Sequence, residues 1–184
     1  EIEGEPAWAF LMKKLNLPID TLPGPCIPIC GMGELLPPHL QEAYDNDHIL
    51  RVITKVNWDD YSFYYPVSCQ TGTKIWFSER DEELIFQGLD RMVDNLAKRI
   101  AKEELVAVFH TDCAARGRFL FDKILKDEII HRMQYPLAGQ NGVPWIGMYG
   151  FGEFTMLNGQ NLYHNYTTSI YALTRARKDK TVVT

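Results

Sequence analysis

Three short stretches of the chain gather side chains that do chemistry. The first is Phe109-His110-Thr111-Asp112-Cys113-Ala114-Ala115-Arg116-Gly117, which follows the apolar run Leu105-Val106-Ala107-Val108. A strand buried on both faces that turns here into a helix holds these residues at its carboxyl end, beside the unpaired N–H groups of the helix start, where anions are favoured. Arg116 can grip a carboxylate through two parallel hydrogen bonds, and Gly117 lets backbone or ligand come close. The plainer reading has Asp112 capping the helix and Arg116 paired with a nearby acid. The same stretch carries an enzyme reading, with Cys113 as nucleophile and His110 as its base, because a thiol near a helix start ionises more easily. Against that reading, the turn lacks the glycines of a nucleophile elbow, and a cysteine in a tight corner more often packs than reacts.

The second stretch is Gly147-Met148-Tyr149-Gly150-Phe151-Gly152-Glu153-Phe154. Glycines are costly inside a strand, so these mark bulges or places where something approaches the backbone. The run is no dinucleotide fingerprint, since Thr155 stands where the final glycine belongs and no helix follows. Glu153 lies between Phe151 and Phe154, a setting in which a carboxylate needs a partner unless it is simply exposed. The third stretch is Tyr163 to Ser169, where alternation along one strand puts His164, Tyr166 and Thr168 on one face and Asn165, Thr167 and Ser169 on the other. The second set offers short polar groups to a ligand, or an ordinary solvated face. Gly31-Met32-Gly33-Glu34 echoes Gly150-Phe151-Gly152-Glu153, through an internal duplication, as a second glutamate on the same pocket or, more simply, by chance.

Composition narrows the classes. The 184 residues include 24 acidic and 19 basic side chains, for a net charge of −5, and 46% are hydrophobic, as in an ordinary folded protein. An acidic chain without a Lys/Arg block is a poor nucleic-acid binder. No apolar run reaches the roughly 18 to 20 residues of a membrane span, and the acidic start Glu1-Ile2-Glu3-Gly4-Glu5 is unlike a signal peptide. The expected setting is cytoplasmic. The chain opens without Met on the lead-in to a helix, which suggests a fragment of something larger. Cys26 and Cys30, with His39 nearby, fall short of the two tight ligand pairs of a structural zinc site, and no pattern calls for a cofactor.

The elements that must position these residues follow from periodicity. Trp8, Leu11, Met12 and Leu15 mark a short helix after Pro6. Six prolines between Pro18 and Pro38 leave a loop-rich segment with at most a short strand near Ile27 to Ile29. Ile49 to Val56 and Tyr61 to Val67 read as a hairpin about Asn57-Trp58-Asp59-Asp60, and a third strand spans Thr73 to Phe77. Ser78-Glu79-Arg80-Asp81 resembles a capping box before a long helix faced by Ile85, Leu89, Met92, Val93, Leu96 and Ile100. A second long helix, faced by Phe121, Ile124, Leu125, Ile129 and Met133, closes at Tyr135-Pro136. Trp145 to Phe151 and Leu162 to Thr174 are two closing strands joined through Asn158-Gly159-Gln160-Asn161, and Arg175 to Lys180 is a frayed tail. The fold class is α+β, a mixed, largely antiparallel sheet with two long amphipathic helices packed on it; a three-layer α/β fold is the alternative.

With these motifs in view, the chain resembles the C-terminal domain of the FIST family of sensory modules. The resemblance rests on Phe109 to Gly117, Pro136-Leu137-Ala138-Gly139, Gly147 to Glu153, His164-Asn165-Tyr166-Thr167-Thr168 and the entry Gly4-Glu5-Pro6-Ala7. The chain departs from the family pattern in the longer connection Gln140-Asn141-Gly142-Val143-Pro144-Trp145 and in His110. The resemblance implies one domain over residues 1–184, a fragment lacking the family's N-terminal half. It also implies a small-molecule ligand such as an amino acid, and a separate signalling output domain as partner. A zwitterion needs a cation and an anion. Arg116 and Glu153 would supply them, with Asp112, Cys113, Gly117, Gly150, Gly152, Asn165 and Thr167 completing the ligand site. The competing readings are the Cys113/His110 enzyme and a structural interaction domain without a ligand.

Overall fold

The computed structural model describes residues 1–41, 48–119 and 123–177. In chain order its elements are α1 (Ala7–Leu15), α2 (Pro23–Cys26), β1 (Cys30–Leu35), α3 (Pro38–Gln41), β2 (His48–Arg51), β3 (Lys55–Asn57), β4 (Ser62–Tyr64) and β5 (Trp76–Glu79). There follow α4 (Glu82–Arg99), β6 (Glu103–Cys113), α5 (Lys123–Ala138), β7 (Trp145–Gly150), β8 (Glu153–Leu157), β9 (Gln160–His164) and β10 (Thr168–Ala176). Helices and antiparallel sheets make an α+β fold. Two units carry these elements: the first draws on residues 1–80, 113–120 and 151–167, the second on 81–112, 121–150 and 168–184.

In the first unit, α1 begins after Pro6 and stops at Asn16, which adopts a left-handed φ of 54°. Its apolar face buries Trp8, Leu11 and Met12 against Cys26, Met32, Ile53 and Val56. The prolines delay the first strand: β1 starts at Cys30, past the Ile27 to Ile29 segment where the sequence suggested one, because α2 and a following turn occupy residues 23–29. β1 is central in a three-stranded antiparallel sheet, β2-β1-β5, with Met32 opposite Arg51 on one side and Phe77 on the other. The stretch Ile49 to Val56 is therefore two strands, not one. Residues through Arg51 pair with β1, whereas Lys55–Asn57 forms the expected hairpin with Ser62–Tyr64. Its turn is held by Asn57 and Asp60, whose side-chain oxygens accept from the Asp59 and Ser62 amides at 3.2 and 2.9 Å.

The Asn158-Gly159 turn also forms, with φ of 46° and 82° at its two central residues, but it joins β8 to β9. The closing strands are thus four. The supposed strand Leu162 to Thr174 breaks at residues 165–167, where Tyr166 takes a φ of 61°. The face alternation read from the sequence is lost there, and His164, Asn165 and Tyr166 are all buried.

In the second unit the sheet order is β10-β6-β7, with β10 antiparallel to β6. β6 was expected to be covered on both faces; Val106 and Phe109 are instead 40% and 36% exposed, and Phe109 stacks near Tyr171 on β10. Asp81 caps α4 by accepting from the Leu84 amide at 3.0 Å, so the cap lies at the end of the Ser78 to Asp81 motif rather than at its start. Leu89 and Val93 of α4 and Ile129 and Met133 of α5 are buried, and the two helices pack together. Arg132 ties them, bonding Glu128 on its own helix and Asp90 on α4. α5 continues through Pro136 and ends at Gly139, whose φ is +63°, so the helix does not close at Tyr135-Pro136. Phe121, the side chains of Ile124 and Leu125, and Lys178 to Lys180 lie outside the described residues.

Candidate functional site

The alternation of β1 puts Cys30, Met32 and Glu34 on one face, and the sheet register sets Arg51 and Phe77 beside Met32 on that same face. Above this floor the first unit contains a cavity of about 810 Å³. Phe10, Met32, Phe63, Tyr65, Ile75 and Phe77 give it apolar walls, while Glu3, Ser62 and the 69–74 loop supply polar groups. This is the size and make-up of a small-molecule pocket.

Beside Met32 on this floor lies a buried charged group. Arg51 is 5% exposed; its Nη1 donates to the Tyr163 carbonyl and its Nη2 lies 3.8 Å from Glu34 Oε2. Burial pulls the Arg51 pKa down, and the charge of Glu34 works in the opposite direction. The Tyr65 phenol is pushed far up, first by burial and then by the Glu34 carboxylate beside it. His164, 1% exposed, is driven down to about 4 by burial and by the Arg51 charge, which keeps it neutral at pH 7. The Tyr65 hydroxyl and the Glu34 carboxylate share a hydrogen bond in this half-buried cluster, and Arg51 Nε is buried without one.

The corner singled out in the sequence is built differently. Residues 114–119 form turns, so Arg116 is not in the first turn of a helix. The Arg116 and Gly117 amides both donate to the Cys113 carbonyl, at 3.0 and 2.8 Å, and the Phe119 amide donates to Ala114. The anion-binding helix start expected at Arg116 is therefore absent, because those N–H groups are spent within the turns. Cys113 packs with Val52, Ala115 and Tyr166, and burial, ahead of the charge of Glu153, raises its thiol pKa. That opposes the thiolate a nucleophile needs. Asn165 accepts from the Val52 amide at 3.1 Å and donates to the Tyr163 hydroxyl at 3.2 Å. Thr167 bonds Cys113 through its carbonyl and Glu153 through its hydroxyl, at 2.9 and 3.2 Å. Arg116 is buried in the same unit.

The glycines do mark close approach, by neighbouring parts of the chain itself. A Cβ on Gly152 would meet the Tyr163 ring at 2.4 Å, and one on Gly147 the His110 carbonyl at 3.0 Å. Asp112, His110 and Gly150 fall in the second unit. Asp112 is buried opposite Thr168 in the sheet ladder, His110 Nε2 bonds the Thr168 hydroxyl at 2.8 Å, and Gly150 ends β7. Neither the large cavity nor a smaller one of about 310 Å³ in the second unit is lined by any of the corner residues.

The FIST C domain model matches residues 16–156, more than half of the chain. The chain belongs to the FIST C domain family. It is a family of sensory domains of signalling proteins. No curated protein and no solved structure matches the chain. The FIST C match takes in Met32, Glu34, Arg51, Tyr65 and Phe77 of the floor and cavity, and Cys113, Arg116 and Glu153 of the corner; Asn165 and Thr167 lie beyond it. Among the described residues no helix is long and apolar enough to cross a membrane.

Sequence reasoning missed Arg51, Tyr65 and the cavity, and met Glu34 only as an echo of Glu153. One signal was present: Arg51 interrupts the apolar run Ile49-Leu50-Arg51-Val52-Ile53, and a cation so placed needs a buried partner.

Proposed function

We propose that the chain senses a small molecule, an amino acid or a related metabolite, held in the cavity of the first unit. In this reading it is the ligand-binding part of a cytoplasmic signalling protein whose N-terminal FIST half and output domain lie elsewhere. The observation that carries the reading is the cavity itself, about 810 Å³ with aromatic walls and a polar rim, in a chain whose family is sensory. Cys69 lines it and is exposed, which gives a direct readout. A thermal-shift screen of metabolites, followed by iodoacetamide labelling of Cys69, tests the proposal. Ligands that raise Tm should also slow labelling of Cys69; stabilisation with unchanged labelling would rule the cavity out.

A second reading seats the ligand at the corner of the first unit, between the Arg116 guanidinium and the Glu153 carboxylate, with Cys113, Gly117, Gly152, Asn165 and Thr167 around it. The Thr167–Glu153 hydrogen bond and the buried Arg116 favour it. Arg116→Ala separates the two: it abolishes ligand-induced stabilisation if the corner binds, and leaves it intact if the cavity does.

A further inference from the structure

Among the described residues, the second unit leaves one face of its sheet open. In the ladder between β6 and β10, Phe109 stands opposite Tyr171 and Ala107 opposite Leu173, so these four side chains share a face, and the Phe109 and Tyr171 rings lie 6.1 Å apart. β7 adds to that face. A Cβ on Gly147 would meet the His110 side chain at 3.5 Å, and the Trp145 ring lies 6.4 Å from the His110 ring, which sets Trp145 and Gly147 on the His110 side of the sheet. Ile146 and Met148 therefore project on the opposite side, with Phe109. The His110 side carries the buried Val108. On the other side Ile146, Met148, Tyr171 and Leu173 are 53–67% exposed.

With Phe109, these side chains expose on the order of 600 Å² of largely apolar surface, the upper end of what a monomer leaves in one patch. Counted with its rim, such a patch approaches the roughly 800 Å² per partner of a standard interface. Aromatic residues and Met are the types that interfaces favour. Ala107, Thr111 and Ser169, which complete the face along the ladder, carry no charge. At the end of the ladder Arg175 and Glu104 pair across the strands and add one charge of each sign. The chain has a net charge of −5, so two copies repel over most of their surface and meet without that penalty only at a neutral patch. A face that is apolar at its centre and balanced in charge at its end is complementary to itself.

We propose that two copies of the chain associate through this face, sheet against sheet about a two-fold axis, with Ile146, Met148, Tyr171 and Leu173 at the centre of the contact. The face shares no residue with the lining of the first unit's cavity, so the pairing stands or falls apart from ligand binding there.

Sedimentation equilibrium of the intact chain from about 1 to about 100 μM tests this directly. The mass should rise from 21.2 kDa toward twice that value. Leu173→Lys and Ile146→Glu, both at sites exposed within one copy, should each weaken the association at least about tenfold while the circular dichroism spectrum stays unchanged. Leu84→Lys, as exposed as these but on α4, should leave it intact. Should the charged variants fold poorly, hydroxyl-radical footprinting of the unsubstituted chain asks the same question: Met148 and Tyr171 should be oxidised less at concentrations that give the dimer. A single-copy mass at every concentration would overturn the proposal; if that chain then bound phosphatidylcholine vesicles and the two variants did not, the face would belong to a membrane. A dimer that survives both substitutions, or that Leu84→Lys dissolves as readily, would overturn it too. So would equal oxidation of Met148 and Tyr171 in the two states, and growth past two copies would exclude the two-fold pairing.

Discussion

The first unit buries two sets of polar side chains, and they differ in what is left over. At the corner, Asn165 commits its amide oxygen to Val52 and its amide nitrogen to Tyr163, Thr167 closes on Cys113 and Glu153, and the turn amides close on Cys113. On the floor, Glu34 and Tyr65 are only half-buried and bond each other, and Tyr65 with Met32 lines a cavity. A polar group closed in by the scaffold on every side fixes the fold. One that also faces a hollow can meet a guest.

The sharpest way to break this comparison is Arg51→Met. Arg51 is the buried member of its ion pair, so removing it would leave the half-buried Glu34 without its cation and the Tyr163 carbonyl without its donor. The expected loss is about 3–5 kcal/mol, read from urea unfolding. The double change Glu34→Gln with Arg51→Met should restore much of it, since the uncompensated charge is gone. A single-variant loss under about 1 kcal/mol would mean that the floor is solvated like a surface pair.

How much of this was legible in the sequence follows from what kind of information each feature needs. Helical periodicity is local, so α1 and α4 could be read from Trp8-Leu11-Met12 and from Leu89-Met92-Val93, and the Asn158-Gly159 and Asn57 to Asp60 turns declared themselves by chemistry. Strand pairing is not local. The local hairpin of Val56 with Phe63 could be read, but nothing in residues 49–56 says that the run divides and that Arg51 pairs with Met32, a partner outside the hairpin. The corner drew attention because its residues are adjacent in the chain. The floor stayed hidden because Glu34, Arg51, Tyr65 and His164 meet only after folding.

His164 offers a second, smaller effect that belongs to the floor. Its pKa falls from about 6.5 to about 4 in the folded chain through burial and the nearby Arg51. The unfolded state therefore binds the proton more readily. The contribution is fully present above pH 6.5 and is lost as pH falls through 4, by up to about 3 kcal/mol. Unfolding measured across that range for the wild type and for His164→Gln isolates the histidine from the carboxylates that titrate alongside it. Identical pH profiles would mean that the imidazole reaches solvent, and that the region around Arg51 is wetter than its burial implies.

The smallest of these effects tests the residue that belongs to both sets. Tyr163 lends its carbonyl to Arg51, lays its ring 5.7 Å from that guanidinium, takes a hydrogen bond from Asn165 and packs edge-on to Phe154. Gly152 leaves room for it, since a methyl there would stand 2.4 Å from both Cε2 and the hydroxyl. Gly152→Ala should thus cost about 1–3 kcal/mol, the usual penalty of forcing a side chain out of a packed site. Because the Tyr163 ring lies beside the Arg51 guanidinium and its hydroxyl holds Asn165, the substitution should also weaken ligand binding in the cavity, though neither Gly152 nor Tyr163 is among its lining residues. A stability loss with unchanged ligand affinity would show that the ring shifts without disturbing Arg51, separating floor from corner. If neither quantity moves, Tyr163 is free to turn away, and the contrast between a committed corner and a poised floor fails at the residue that joins them.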